Sequence, residues 1–352
     1  MPMKKILNNF TRALKKRVDV FLQDPLCLSR WVPPYLGRNR DNQISVRVGN
    51  EGYRWVIDRY HGDVFMFIED MHQGIMPFMH LRSEDKTLFR ARLEPENAAA
   101  QELIVAAMNH GGRRYDLADA LCEFIRTSTQ ELFFYGRVIH EIVYETDANG
   151  MIMNFAFVSV NPLSIRSVLG PYYQVIPWKV GKRSYVRVGV KRIPKEKLQV
   201  IEFPVALGGR RTLKRVLSRL SSLSAEPIPE FQMEAMRSNQ DIGFDLNQYV
   251  RAKYLEKAQL TRQFGWDQRK RRDQEITEYY SVYRHLCFAL SQAIIREHIL
   301  GAINRTLSGP LLNIRSQIIM EGLPTSDQIK TEFRALNEGG LEFVTLFKRT
   351  SI

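Results

Sequence analysis

The stretch LADALCEFIRTSTQELFFYG (117–136) runs directly into VIHEIVYE (138–145), so the spacing of apolar residues changes from helical to alternating within two positions. That switch fixes what the middle of the chain can fold into. Leu117, Leu121, Phe124, Ile125, Leu132 and Tyr135 fall at helical spacing, with Asp116 placed to cap the helix start and Gly136 to end it. The alternation of VIHEIVYE reads as a half-buried strand. The Asn149-Gly150 turn followed by MIMNFAFVSV reads as the return arm of a hairpin.

Further on, the pattern is strand, basic turn, strand, turn, strand: YYQVIPW, KVGKR, SYVRVGV, KRIPKEK and LQVIEFP, which predicts one sheet with a basic rim. ENAAAQELIVAAMNHGG reads as a short helix with Pro95 in its first turn and Gly111 after its end. Earlier, ISVRVGNEGYRWVIDRYHGDVFMFIED reads as two or three strands, and Gly74 to Leu93 matches neither period. The first residues, with Ile6, Phe10, Leu14 and Val18 on one face and Lys4, Lys15, Lys16 and Arg17 elsewhere, predict a basic amphipathic helix for docking, solvation or a membrane surface.

Composition bounds the function classes. The 352 residues carry a formal charge of +13, so the long-range field attracts polyanions. The charge is concentrated. Between 210 and 223, Leu213, Val216, Leu217, Leu220 and Leu223 share one helical face, and Arg210, Arg211, Lys214, Arg215 and Arg219 share the other. A second cluster, TRQFGWDQRKRRDQ, sets Arg262, Arg269, Lys270, Arg271 and Arg272 beside Phe264 and Trp266. Cations interleaved with aromatics suit phosphate contact with base stacking, and equally a solvated turn.

From Gln274 to Leu307 two apolar rows run side by side: Ile276, Tyr280, Tyr283, Cys287, Leu290 and Ile294, flanked by Tyr279, Val282, Leu286, Ala289 and Ala293. A stripe that wide predicts a helix central to a bundle or packed between neighbouring subunits, with Tyr280, Tyr283, Leu286, Leu290 and Ile294 as oligomerisation residues. Past Gly309-Pro310, TSDQIKTEFRALNEGG reads as a capped helix and LEFVTLFKRTSI as a terminal strand or arm.

Other chemistries find little support. No GxxxxGK[ST] loop occurs, and the seven histidines form no i,i+4 pair. Cys27, Cys122 and Cys287 lie far apart in apolar surroundings, which predicts reduced thiols and no metal or cofactor. No run approaches the ~20 apolar residues of a membrane span, so a soluble protein is expected. The one catalytic pattern is Asp70, read as following a strand, with Glu84-Asp85-Lys86: two carboxylates for Mg²⁺ and a lysine, as in metal-dependent nucleases.

The order of elements from 96 to 310 resembles the body of the portal proteins of long-tailed phages. It is carried by Phe134-Tyr135-Gly136, Glu141, Gly150, Asn161-Pro162, Tyr172-Tyr173 and Gln199-Val200-Ile201-Glu202-Phe203. The resemblance implies an α+β fold: a sheet and hairpin body followed by long stem-like helices that form a ring oligomer. In those terms the chain divides into an N-terminal basic helix and arm (1–39), a strand-rich outer segment (40–94), an α/β body (95–207), a helical region with the basic clusters (208–308) and a C-terminal helix and arm (309–352). It further implies a structural role at a capsid vertex of the virion, after assembly in the host cytoplasm. The implied partners are further copies of the chain, double-stranded DNA contacted without regard to sequence, the major capsid protein, terminase and tail or neck adaptors. No catalysis is required. The alternative is a stand-alone nucleic-acid-binding protein or metal-dependent nuclease of a mobile element.

Overall fold

The computed structural model describes residues 43–45, 62–77, 89–108, 116–167, 170–180, 185–225, 246–266 and 278–340. These form a mixed α+β fold with small antiparallel sheets. The elements are α1 (Asp63–Gln73), β1 (Arg90–Glu94), α2 (Ala98–Met108), α3 (Leu117–Tyr135), β2 (Arg137–Thr146), β3 (Ile152–Ser159), β4 (Ile165–Ser167), β5 (Tyr172–Val180), β6 (Tyr185–Ile193) and β7 (Leu198–Glu202). Then come α4 (Gly209–Ala225), α5 (Leu246–Leu260), α6 (Glu278–Leu307), β8 (Gln317–Glu321) and α7 (Ser326–Asn337). The N-terminal basic helix and the C-terminal arm expected from the sequence lie outside the described residues.

Helix α3 is bounded as its caps dictate. The Asp116 carboxylate accepts the Asp119 amide at 2.8 Å, and Gly136, at φ 71°, donates its amide to the Leu132 carbonyl at 2.8 Å. The left-handed turn at Gly136 is the conformation a side chain disfavours, and it lets the chain leave the helix straight into β2. The hairpin is present, but its loop is longer than a two-residue Asn-Gly turn. Thr146 pairs with Ile152, and the Asp147 carboxylate accepts the Asn149 and Met151 amides at 2.9 and 2.8 Å.

Three sequence expectations need correcting. β2 is not half-buried: Arg137 through Val143 are all buried, because β2 is the central strand of the order β3-β2-β7. Val138 and Ile142 join the main core, Ile139 and Val143 smaller clusters behind the sheet, and His140 and Glu141 are satisfied by Gln199 and by the Ile44 and Ser45 amides. Nor do the later strands form one sheet. β5 and β6 pair with each other beside β4, whereas β7 leaves to pair with β2 from Arg137↔Glu202 to Glu141↔Leu198. Finally, DVFMFIEDMHQ is helical, not extended. Val64, Phe67, Ile68 and Met71 lie at i, i+3, i+4 and i+7, all buried, a helical spacing hidden inside a short apolar run. Two smaller differences concern Pro95, which precedes α2, where the Asn97 side chain caps the Ala100 amide at 3.0 Å, and β1, which pairs with β8.

One aromatic cluster joins distant parts of the chain. Phe67 of α1 meets Phe133 of α3, Phe264 and Trp266 with ring centroids 5.6, 5.3 and 5.4 Å apart, and Phe133 meets Phe203 at 5.5 Å. All five rings are buried, at about 1.5–3 kcal/mol each for an apolar side chain of that size.

Helix α6 contributes to both the main core and a second apolar cluster. Its Val282, Leu286 and Ala293 row is covered by Ile329 and Leu336 of α7, with Tyr283, Ala289, Leu290 and Phe333 half-buried around them. α7 begins with the expected cap, a reciprocal Thr325–Gln328 box. Polar side chains fix α6 to its surroundings. Buried Arg296 donates to the Ile75 and Pro324 carbonyls at 3.1 and 2.5 Å, and burial pushes its pKa down to about 10. Asn304 bonds both the amide and the carbonyl of Ile318, tying α6 to β8. The segment Val282–Leu307 is long and apolar enough by composition to cross a membrane, contrary to the sequence reading, but half of its apolar window is buried inside the chain.

The 262–266 turn packs backbone to backbone on α6. Gly265, at φ 67°, sits so close that a Cβ there would overlap the Arg284 carbonyl oxygen and the Phe288 amide nitrogen. Gly150, at φ 80°, has open space around it. Gly265→Ala therefore combines left-handed strain with a backbone clash and is expected to cost roughly 3–5 kcal/mol in urea unfolding, against about 1–2 kcal/mol for Gly150→Ala. Equal losses would refute this packing.

Candidate nucleic-acid interface

The amphipathic reading of 210–223 is realised in α4. Leu213, Val216, Leu217, Leu220 and Leu223 are buried, and Arg210, Arg211, Lys214, Arg215 and Arg219 are all exposed on the opposite side. Arg219 pairs with Glu256 of α5 at 2.5 Å. Among the described residues, Arg210, Arg211, Lys214 and Arg215 have no carboxylate within ion-pair distance. A solvated helix face commonly alternates charge signs so that i,i+4 neighbours attract; here Arg210/Lys214, Arg211/Arg215 and Arg215/Arg219 repel, at about 0.2–0.5 kcal/mol each. The row Arg211, Arg215 and Arg219 spans about 12 Å at 1.5 Å per residue. One DNA strand carries about three or four phosphates over that length.

The start of α4 brings in arginines that the sequence reading passed over. Glycine at 136 leaves room for the Arg210 side chain, whose Cγ, Cδ and Nε lie within 2.5 to 3.2 Å of where a Cβ would stand. The next residue, Arg137, is 9% exposed and donates to the Pro162 and Ile165 carbonyls at 2.5 and 2.8 Å. Exposed Arg166 donates to the same Ile165 carbonyl at 3.0 Å. Burial, and then the nearby Arg210 and Arg166 charges, hold Arg137 below the ordinary arginine range, with Glu202 acting in the opposite sense. Arg137 escaped notice because an arginine within an otherwise apolar strand start has no periodic signature; only the fold sets it beside residues 29 and 73 positions away.

The second basic cluster divides. Arg262 is exposed beside Tyr283 and Cys287, while Arg269, Lys270, Arg271 and Arg272 lie outside the described residues. Its stacking option is corrected: Phe264 and Trp266 are 0% and 1% exposed and belong to the core, so neither ring is available to a base. Of the residues expected to mediate self-association, Leu286 is buried under α7, Tyr283 and Leu290 are half-buried beside it, and Ile294 packs against the main core. Of Tyr280 only the helical backbone is described.

The nuclease-like pattern is altered at its first member. Asp70 lies within helix α1 rather than after a strand, and its carboxylate accepts the buried Trp266 indole N–H at 2.7 Å. Glu84 and Lys86 lie outside the described residues. Among the described residues no cluster of three or more His, Cys, Asp or Glu could hold a metal ion. Cys122 is buried, Cys287 half-buried, and neither forms a disulfide.

No model of a known protein family and no curated protein sequence matches the chain.

Asp70 thus has a structural task. Asp70→Ala would strand a buried indole donor and is expected to lower stability by about 1–3 kcal/mol in chemical denaturation, with Asn, which keeps an acceptor, recovering most of the loss. A variant as stable as the parent would contradict the assignment.

Proposed function

We propose that the protein is a ring-forming, portal-like subunit of a tailed phage or prophage, seated at a capsid vertex around a passage for double-stranded DNA. The observation that carries this reading is the exposed face of α4, where four cations stand without carboxylate partners among the described residues on a helix anchored by its other face. Such a face neutralises backbone phosphates and reads no base edges, which is what a channel that must pass any sequence requires. The element order supports the same reading: α3, Gly136, β2, the hairpin, Asn161-Pro162, the Tyr172-Tyr173 strand and β7 follow one another as in the resemblance described above.

In this reading the partners are further copies of the chain, DNA, the major capsid protein, terminase and tail or neck adaptors. The half-buried Tyr283 and Leu290 margin of α6 is the surface offered to a neighbouring copy. The protein positions DNA and does not cut it. Nothing in the placement of Asp70 favours the nuclease alternative, since its carboxylate is engaged with Trp266.

Fluorescence anisotropy with duplexes of unrelated sequence tests the DNA role. Affinity should be equal across sequences and fall with salt at a log–log slope of about 0.9 per phosphate contacted. Reversing Arg211, Lys214 and Arg215 to Glu should weaken binding at least about tenfold and flatten the slope. Unchanged affinity, or marked sequence preference, would overturn the reading, as would cleavage of plasmid DNA with Mg²⁺ that Asp70→Asn abolishes.

A further inference from the structure

Where α3 ends, β2 begins and α4 starts, Arg137 lies within electrostatic reach of both Arg210 and Arg166. The Arg210 side chain lies across the bare backbone of Gly136, and Arg137 follows immediately in the chain. Arg137 and Arg166 both donate to the Ile165 carbonyl, at 2.8 and 3.0 Å, which holds their side chains on a common atom. The three come from β2, β4 and α4, so tertiary structure alone has brought like charges together. Among the described residues no carboxylate is within ion-pair distance of Arg137 or Arg210.

Two further observations point to an anion. Arg137 is nine-tenths buried, and its Nε is a buried donor without a hydrogen-bond partner, while its Nη2 donates to the Pro162 and Ile165 carbonyls. A buried N–H without a protein partner calls for a water, an ion or a ligand to complete it. In addition, α4 has no acidic residue in its first turn and carries Arg210 and Arg211 there instead. Cations at a helix N-terminus oppose the positive end of the helix dipole, and the unpaired amides of a first turn favour an anion.

We propose that Arg137, Arg166 and Arg210 form a binding site for a phosphate group at the start of α4. Three guanidinium groups match the oxygens of a phosphate with directed, charge-assisted hydrogen bonds, and one anion relieves the repulsion among all three. The phosphate has two possible sources: the backbone of DNA lying along α4, or a free phosphate. The first rests on the proposed DNA role; the second does not.

The test is calorimetric titration of the whole protein with inorganic phosphate, against sodium chloride of equal ionic strength. Saturable binding of one phosphate per chain is expected, with Arg166→Gln and Arg210→Gln each weakening it about tenfold or more. Both residues are exposed, so both variants should melt as the parent does in chloride. Arg137 is buried, and Arg137→Lys, which keeps the charge and loses the fork, should fold and still bind more weakly than the parent. Absence of saturable binding in the parent, or undiminished binding by the Arg166→Gln and Arg210→Gln variants, overturns the proposal. Duplex DNA separates the sources: competition by phosphate, with a loss of DNA affinity in Arg166→Gln, makes the backbone the ligand. Phosphate binding that leaves DNA affinity untouched makes it a free phosphate, with the site standing either way. Loss of DNA binding by the α4 reversal alone, with no phosphate site, sinks this proposal and spares the DNA role.

Discussion

The left-handed turn at Gly136 is the constraint on which the rest depends. Its amide closes α3 onto Leu132, and its carbonyl accepts the Phe203 amide at 3.1 Å, joining the end of β7 to the start of β2. Because residue 136 has no side chain, Arg210 crosses directly over it and α4 begins against the same junction. A helix, the central strand, an edge strand and the basic helix are thus positioned by one residue able to adopt φ 71° without penalty.

That junction also connects the core to the charged surface. Phe133 precedes it by three residues and Phe203 is bonded to it, so both ends of the aromatic contact between α3 and β7 are fixed there. From that cluster, Phe67, Phe264 and Trp266 extend the core to α1 and to the turn lying on α6. On the outer side, the same geometry gathers Arg137, Arg166 and Arg210. Repulsion among arginines is a cost that packing elsewhere must offset, and in the proposed function it is offset when phosphates arrive.

What the sequence disclosed depended on the range of the interaction. α3, α4 and α7 were legible because caps and apolar spacing act within a few residues: Asp116, Gly136 and Thr325 behave as their types dictate. Strand partnership was not, because β7 lies closer in sequence to β6 yet finds its pairing with β2 about sixty residues away. The helical DVFMFIEDM lacks enough polar residues to separate one period from the other. Phe264 and Trp266, read beside a run of cations, proved to be core because α1 supplies Phe67 and Asp70 to receive them. The width of the apolar stripe on α6 was legible, but not that α7, beginning some twenty residues beyond its end, covers much of it. The α4 cations were visible as a face, whereas their junction with Arg137 and Arg166 was hidden in the fold.

The central claim is that copies of this chain close into a ring around DNA. Electron microscopy of the purified full-length protein tests it most directly. The account predicts closed rings of a single rotational symmetry with a central opening wide enough for a duplex, and with α4 facing that opening. Monomers or dimers at micromolar concentration, or rings with α4 on their outer surface, would contradict it.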